Sequence, residues 1–485
     1  MRKFFSIVTS AFLLAITLPE RHAMADDCYD MSINADPDNA IKTCTKAILL
    51  HPKDSKAYYS RGIAYERKDL LTHALKDYDK AISLDPKDAE AYNIRANAYA
   101  SKGRYDRAIK DFDKAISLNP KLVYAYQNRG ITYAKKGLYD SAIGDFGKVI
   151  SLKPDNAVAY YNRGITYEKK GLLDHAIEDY DKVISLDPKN AEAYNIRANA
   201  YAKKGLHDRA IEDFDKAISL HPNFMYAYES RGYSYSQTGF FDNAIKDYDK
   251  AISLDPEYAN GYYNRGLAHA RKGLLDQAIN DFDKAISLDP KNVYAYAARG
   301  NAYFEKGSHA RAIEDVNKVM SFGPKDAKAY SNRGNIFFYR GLYDKAKADY
   351  NTSIKLDPAY EYSYLRLLNA TWLAKKDDTK ALDLLRQFVS QNNTDDWVRV
   401  ISRYYLGDGS ISEQSVIEEA KKRTTEEDVR GRLCETYYYL GIKRLAAGDT
   451  NGAADYLAKS IEADKKDFIE HMLAKGLLER IKARK

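Results

Sequence analysis

The sequence predicts an all-α fold, a right-handed superhelical solenoid of stacked helix-turn-helix units, and three observations predict it. Prolines stand at 52, 86, 120, 154, 188, 222, 256, 290, 324 and 358, spaced by 34 residues without slippage. Each interval carries two apolar stripes, such as Tyr160, Gly164, Tyr167 and then Ala176, Tyr180, Val183, whose spacings of three and four mark amphipathic helices. Gly171 separates these stripes and Pro188 follows the second, so the copy reads helix, turn, helix, turn. One hairpin cannot bury its apolar face alone, and neighbours must stack to make a continuous core.

The elements follow in chain order. Residues 1–25 read as a cleaved signal peptide: Arg2 and Lys3, an apolar run from Phe4 to Leu18, and small residues at Ala23 and Ala25. Cleavage removes three positive charges and one negative, taking the formal charge from +7 to +5. No later apolar run approaches the roughly 20 residues that span a bilayer. The mature chain is therefore expected in the periplasm, or else secreted, without a transmembrane anchor.

Residues 26–54 read as a worn repeat. Ala40, Cys44 and Ala47 take the places of a second helix, and Cys28 takes the close-contact position of the first. In an oxidising compartment Cys28 and Cys44 can pair across that hairpin; the alternative is two unbridged small hydrophobes. Cys434 is left as an odd thiol.

Nine complete units occupy 55–360, beginning at 55, 89, 123, 157, 191, 225, 259, 293 and 327. "AEAYNIRANAYA" at 89–100 recurs at 191–202, which points to duplication of a three-unit block. Small residues at unit positions 8 and 20, Gly164 and Ala176 in the fourth copy, let the two helix axes approach while larger rings fill the flanks. After 360 the register loosens. "YSYLRLLNATWLAKKDDTKALDLLRQFVSQ" reads as one more hairpin, a shorter helical pair follows, and Tyr437, Gly441, Gly448, Ala453 and Leu457 restore the pattern before a basic-ended capping helix.

Tyr/Gly/Tyr, then Ala/aromatic/Ala, then Pro is the pattern of the tetratricopeptide repeat family, which this chain resembles across at least 55–360. The resemblance implies a right-handed solenoid whose first helices line a concave peptide-binding surface. The end from "DDW" at 395–397 onward resembles the carboxy-terminal region of a bacterial envelope tetratricopeptide-repeat lipoprotein family, an adaptor for peptidoglycan hydrolases and a periplasmic protease. This chain departs from that family in lacking its lipid-attachment cysteine and in carrying more repeats.

Catalytic chemistry is not indicated. The nine histidines form no HExxH or HxH pair, and no GxSxG, phosphate loop or dinucleotide fingerprint occurs. Acidic pairs such as Asp179 with Asp181 recur in most units, whereas a glycosidase needs one pair across one cleft. No cofactor or metal is expected. Acids and bases interleave without the basic stripe that a nucleic-acid backbone requires, so nucleic acid is not an expected partner.

Arginine holds position 7 in all nine units and aspartate position 23, as at Arg163 and Asp179. The pairing reads as structural, either within a hairpin or between units, because an unpartnered buried guanidinium is costly. Function is then expected where the copies differ. Positions 2, 5, 9 and 12 of the first helix turn to another side from the core. The expected partner groove comprises Tyr59, Asn93, Asn97, Gln127, Tyr161, Asn195, Asn199, Glu229 and Tyr263. Chaperone-binding repeats similar in fold grip a terminal carboxylate with basic residues in such a groove; here Asn93 stands at position 5, and Val158 and Asn162 replace the basic pair, leaving that clamp incomplete. The leading expectation is a non-enzymatic scaffold or adaptor for protein or peptide partners, with cell-envelope assembly as its setting. Two further readings are a self-associating structural solenoid forming homo-oligomers, and an envelope hydrolase accessory with activity in the divergent carboxy-terminal region.

Overall fold

The computed structural model describes residues 28–32, 36–391, 396–422, 425–463 and 469–483. The expected signal peptide, 1–25, lies outside the described residues. Every regular element among the described residues is a helix. Two compact units are distinguished, 1–227 and 228–485, each a stack of helical hairpins.

The first unit opens with a helical turn over 28–32, joined through a Cys28–Cys44 disulfide to the helix Pro37–Leu50. Five hairpins follow, from Ser55–Arg67 with Leu71–Leu84 to Ala191–Lys203 with His207–Leu220. The first helix of each hairpin is here called A and the second B. Local chemistry sets their ends. The Asp88 carboxylate accepts from the amides of Glu90 (2.9 Å) and Ala91 (3.2 Å), capping one A helix. Gly171, with φ of 80°, makes the left-handed turn between A and B, and Asp69 makes the equivalent turn at φ of 58° despite its side chain.

Packing within a hairpin is set by size. A methyl group added at Gly164 would lie 2.5 Å from Cε1 of Tyr180, whose ring is fully buried, so glycine at position 8 and an aromatic at position 24 are one fitted pair. Ala176 is fully buried beside the same ring.

Arg163 and Asp179 resolve into a fork within one hairpin: Nε donates to one carboxylate oxygen (2.9 Å) and Nη2 to the other (2.7 Å). This fork holds the guanidinium above its ordinary pKa. The rings of Tyr160 and Tyr167 flank it, with centroids 5.6 and 5.8 Å from Cζ. Between repeats a different carboxylate acts. Nη1 of Arg95 reaches Asp79 at 2.8 Å, and Arg197 reaches Asp181 at 2.6 Å, both at position 25 of the preceding repeat. The recurrent acidic pairs are thus the two anchors of consecutive arginines. Arg163 lacks this second anchor because Gly147 stands sixteen residues before it.

The second unit continues the hairpins from Phe241–Leu254 through Tyr343–Leu356 and then changes character. Tyr362–Leu373 with Thr379–Gln391, Asp396–Tyr405 with Glu413–Ala420, and Glu426–Ala446 with Thr450–Glu462 precede the last helix, Ile469–Lys482. Their core is broad, uniting Leu365, Leu368, Trp397, Tyr438, Tyr439 and Leu477 in one cluster. The last helix packs on 450–462 and 426–446, and also against the A helix 327–339.

Candidate partner-binding face

On the A helices of the first unit, position 2 is open and position 5 is recessed. Tyr124 is 62% exposed, Val158 53% and Tyr226 58%. Tyr59 is half-buried, stacked with Tyr29 at 6.4 Å and tilted against Tyr78 at 6.3 Å. Asn93 and Asn195 are buried, and their Oδ1 atoms lack hydrogen-bond partners. Asn97, Gln127 and Asn199 are half-buried.

Tyr161 lies between two repeats. Its hydroxyl donates to Glu192 at 3.0 Å, and burial followed by that carboxylate pushes its pKa up to about 12. Val158, Tyr161, Asn162, Val183, Asn190 and Glu192 line a shared recess at this seam. In the second unit Glu229 accepts from Nδ2 of Asn264 at 3.3 Å, and Tyr263 packs near Phe282 at 6.1 Å. Tyr233 and Tyr294 are open there, the latter 75% exposed. The position-2 tyrosines 124, 226 and 294 are thus more exposed than the residues expected at positions 5 and 9 of the groove, although they were visible in the sequence.

Buried B-helix tyrosines bond to acids at position 12 of the A helices. The Tyr78 hydroxyl donates to Glu66 (2.8 Å) and that of Tyr180 to Glu168 (3.2 Å). Where position 24 is Phe112, Phe146, Phe214 or Phe282, position 12 is Ala100, Ala134, Ala202 or Ala270. A buried hydroxyl needs an acceptor and a phenyl ring does not; Tyr350, with Phe338 at position 12, donates instead to Asn335 at 2.9 Å.

A second recess in the second unit has different chemistry. It is lined by A-helix residues Asn301, Phe304, Lys328, Asn335 and Arg366 together with Glu435, Glu470 and Met472 from the last helices. Arg366 is 5% exposed and donates to Glu470 (3.0 Å) and Ser331 (3.2 Å). Glu435 accepts from Arg432 (3.1 Å) and Tyr362 (3.2 Å). Burial, then the nearby Glu470 charge, pushes Glu435 up to about 7. Sequence reasoning missed this cluster. Its trace was an arginine at 366, where the array's position 7 falls on Leu367.

No group of acids, histidines and cysteines among the described residues is arranged to hold a metal, and no described helix is long and apolar enough to cross a membrane. Neither recess pairs a nucleophile with an oriented base.

Family models of known repeats match most of the array. Tetratricopeptide repeat models match residues 55–88, 89–122, 157–190, 191–224 and 327–360, with others over 112–144 and 293–326. A TPR repeat model matches 133–171, 237–273 and 271–307. Among solved structures, the chain is similar to the crystal structure of MamA protein at 35% identity, over 35% of this chain and 92% of that one, with a TM-score of 0.33. A tetratricopeptide repeat protein from Parabacteroides merdae is similar at 23% identity, over 50% and 97% of the two chains, with a TM-score of 0.42. YrrB, described as a TPR protein with an unusual peptide-binding site, is similar at 24% identity, over 46% and 97%, with a TM-score of 0.29. With its period, its fitted glycine and aromatic pairs and these matched repeats, the chain belongs to the tetratricopeptide repeat family.

Proposed function

We propose that this chain is an exported, non-enzymatic scaffold that holds protein or peptide partners on its A-helix faces, in the periplasm. The observation that carries the reading is the exposure of position 2 on the A helices, where Tyr124 and Tyr226 in the first unit, and by itself Tyr294 in the second, stand open. Tyrosine offers a rigid ring and a hydroxyl at low conformational cost, which suits a binding face. Export is supported by the character of residues 1–25 and by the Cys28–Cys44 disulfide, a bond that persists in oxidising compartments. The cell envelope is the setting in which such an adaptor would work.

The test is capture of stoichiometric partners from bacterial envelope extract by the mature chain. Tyr124→Ser combined with Tyr226→Ser is expected to lose them, as is a triple change at Tyr161, Asn195 and Asn199, while Lys182→Ser on an exposed B-helix position retains them. Failure to capture any partner, or equal capture by every variant, overturns the reading.

A further inference from the structure

The last helix occupies a stretch of A-helix face, and its contacts show what that stretch accepts. Ile469 and Met472 pack on the cluster containing Phe304 and Ile336. Glu470, 2% exposed, accepts from Arg366, which sits on the A helix Tyr362–Leu373. Gly476 lies so close to Tyr339 that an added methyl group would fall 2.5 Å from the ring. An amphipathic helix with a glutamate between apolar anchors thus lies across the A-helix face at 304–366.

This docking leaves polar groups poorly matched. Nε of Arg366 is buried without a hydrogen-bond partner, and so are Nε and Nη2 of Arg480. Burial and then the charge of Glu470 hold the Glu435 carboxyl above its ordinary range, while Arg366 pairs with Glu470 and Arg432 with Glu435. Unpaired buried donors weaken an interface, and a segment that paired Nε of Arg366, the one of these that stays on the face, would bind in place of the resident.

We propose that this face is a recognition site for a partner's amphipathic helix that carries a glutamate on its apolar side, and that Ile469–Lys482 is its built-in competitor. The carboxylate pairs with Arg366, and aliphatic or thioether side chains replace Ile469 and Met472 over Phe304. The proposal rests on the reading of the A-helix faces as binding surfaces and names the partner class for one of them.

The probe is a fluorescein-labelled peptide of residues 466–485, titrated by anisotropy against the full chain, with circular dichroism as a folding control. Glu470→Lys in the chain sets a positive charge against Arg366 and frees the face; if the resident helix holds it about nine-tenths of the time, the peptide binds this variant about tenfold more tightly than the unaltered chain. Gly476→Val frees the face by steric means with the charged cluster intact and gives the same gain. Adding Arg366→Leu to the Glu470→Lys chain abolishes binding, and a peptide carrying Glu470→Lys binds neither form. Equal peptide affinity for all chains overturns the proposal. Concentration-dependent dimers of the unaltered chain that excess peptide dissolves also overturn it, in favour of helix exchange between copies. Envelope capture that succeeds while the peptide fails removes this inference alone; peptide binding without envelope partners removes the scaffold reading instead.

Discussion

Two arginines, Arg163 in the regular array and Arg366 in the carboxy-terminal region, show how differently one chain can bury a guanidinium. The Arg163 side chain keeps 22% of its surface open, lies between two tyrosine rings and is forked by an aspartate sixteen residues away. Arg366 is almost sealed, reaches partners 35 and 104 residues distant, and leaves Nε unmatched. The first arrangement needs one hairpin and is copied; the second needs three segments at once and occurs where the period has ended. The difference teaches that charge burial in the array is local and satisfied, whereas in the carboxy-terminal region it couples distant helices at the expense of complete pairing.

The largest expected effect breaks the distant pair. Arg366→Ala strands Glu470 in the core and is expected to destabilise the carboxy-terminal region by about 3–5 kcal/mol. Urea unfolding followed by tryptophan fluorescence measures this cleanly, since Trp372 and Trp397 are the chain's two tryptophans. The same signal sharpens the electrostatics. A carboxyl whose folded pKa is raised binds more protons folded than unfolded, so its effect is to lower stability as pH rises from the ordinary 4.5 to about 7. That slope is expected in the unaltered chain and is expected to flatten in Glu435→Gln.

Asp179→Ala takes the fork from Arg163 and is expected to cost about 2 kcal/mol. The loss should appear as faster amide exchange over 157–186, with the tryptophan midpoint unmoved, because repeats contact their neighbours alone. Gly164→Ala should cost about 1 kcal/mol, at the low end for overpacking, because Ala96 and Ala198 hold that register opposite Phe112 and Phe214 elsewhere. The smallest change is a gain. Gly147→Asp supplies the missing second anchor for Arg163 and is expected to add about 0.5 kcal/mol beyond Gly147→Ala, the control for helix propensity, in thermal melts at low salt.

The array was legible because its physics repeats: a 34-residue period, two stripes and a turn glycine needed no coordinates. Pairing of arginine with aspartate was legible as a ninefold coincidence, but the division of labour between positions 23 and 25 was not, since both are acidic and both lie on B helices. The binding face was half legible. Helical geometry grouped positions 2, 5, 9 and 12, yet depth depends on how closely the next repeat approaches, and that set Asn93 and Asn195 inside while leaving Tyr124 and Tyr226 outside. The Arg366 cluster was hidden because its members belong to helices whose association no periodicity announces.

The spacing of the struts has a consequence for how such a chain can change length. Each bridged arginine has one carboxylate sixteen residues after it and, in repeats such as those of Arg95 and Arg197, another sixteen before. Deleting or inserting 34 residues, or a block of 102, rejoins an arginine to an aspartate sixteen residues after it wherever the cut falls in the array. Recombination between copies can therefore lengthen or shorten the array without stranding a charge, so its reach is open to selection while its chemistry stays closed. A cut between 366 and 470 has no such immunity, and the carboxy-terminal region is inherited whole or lost.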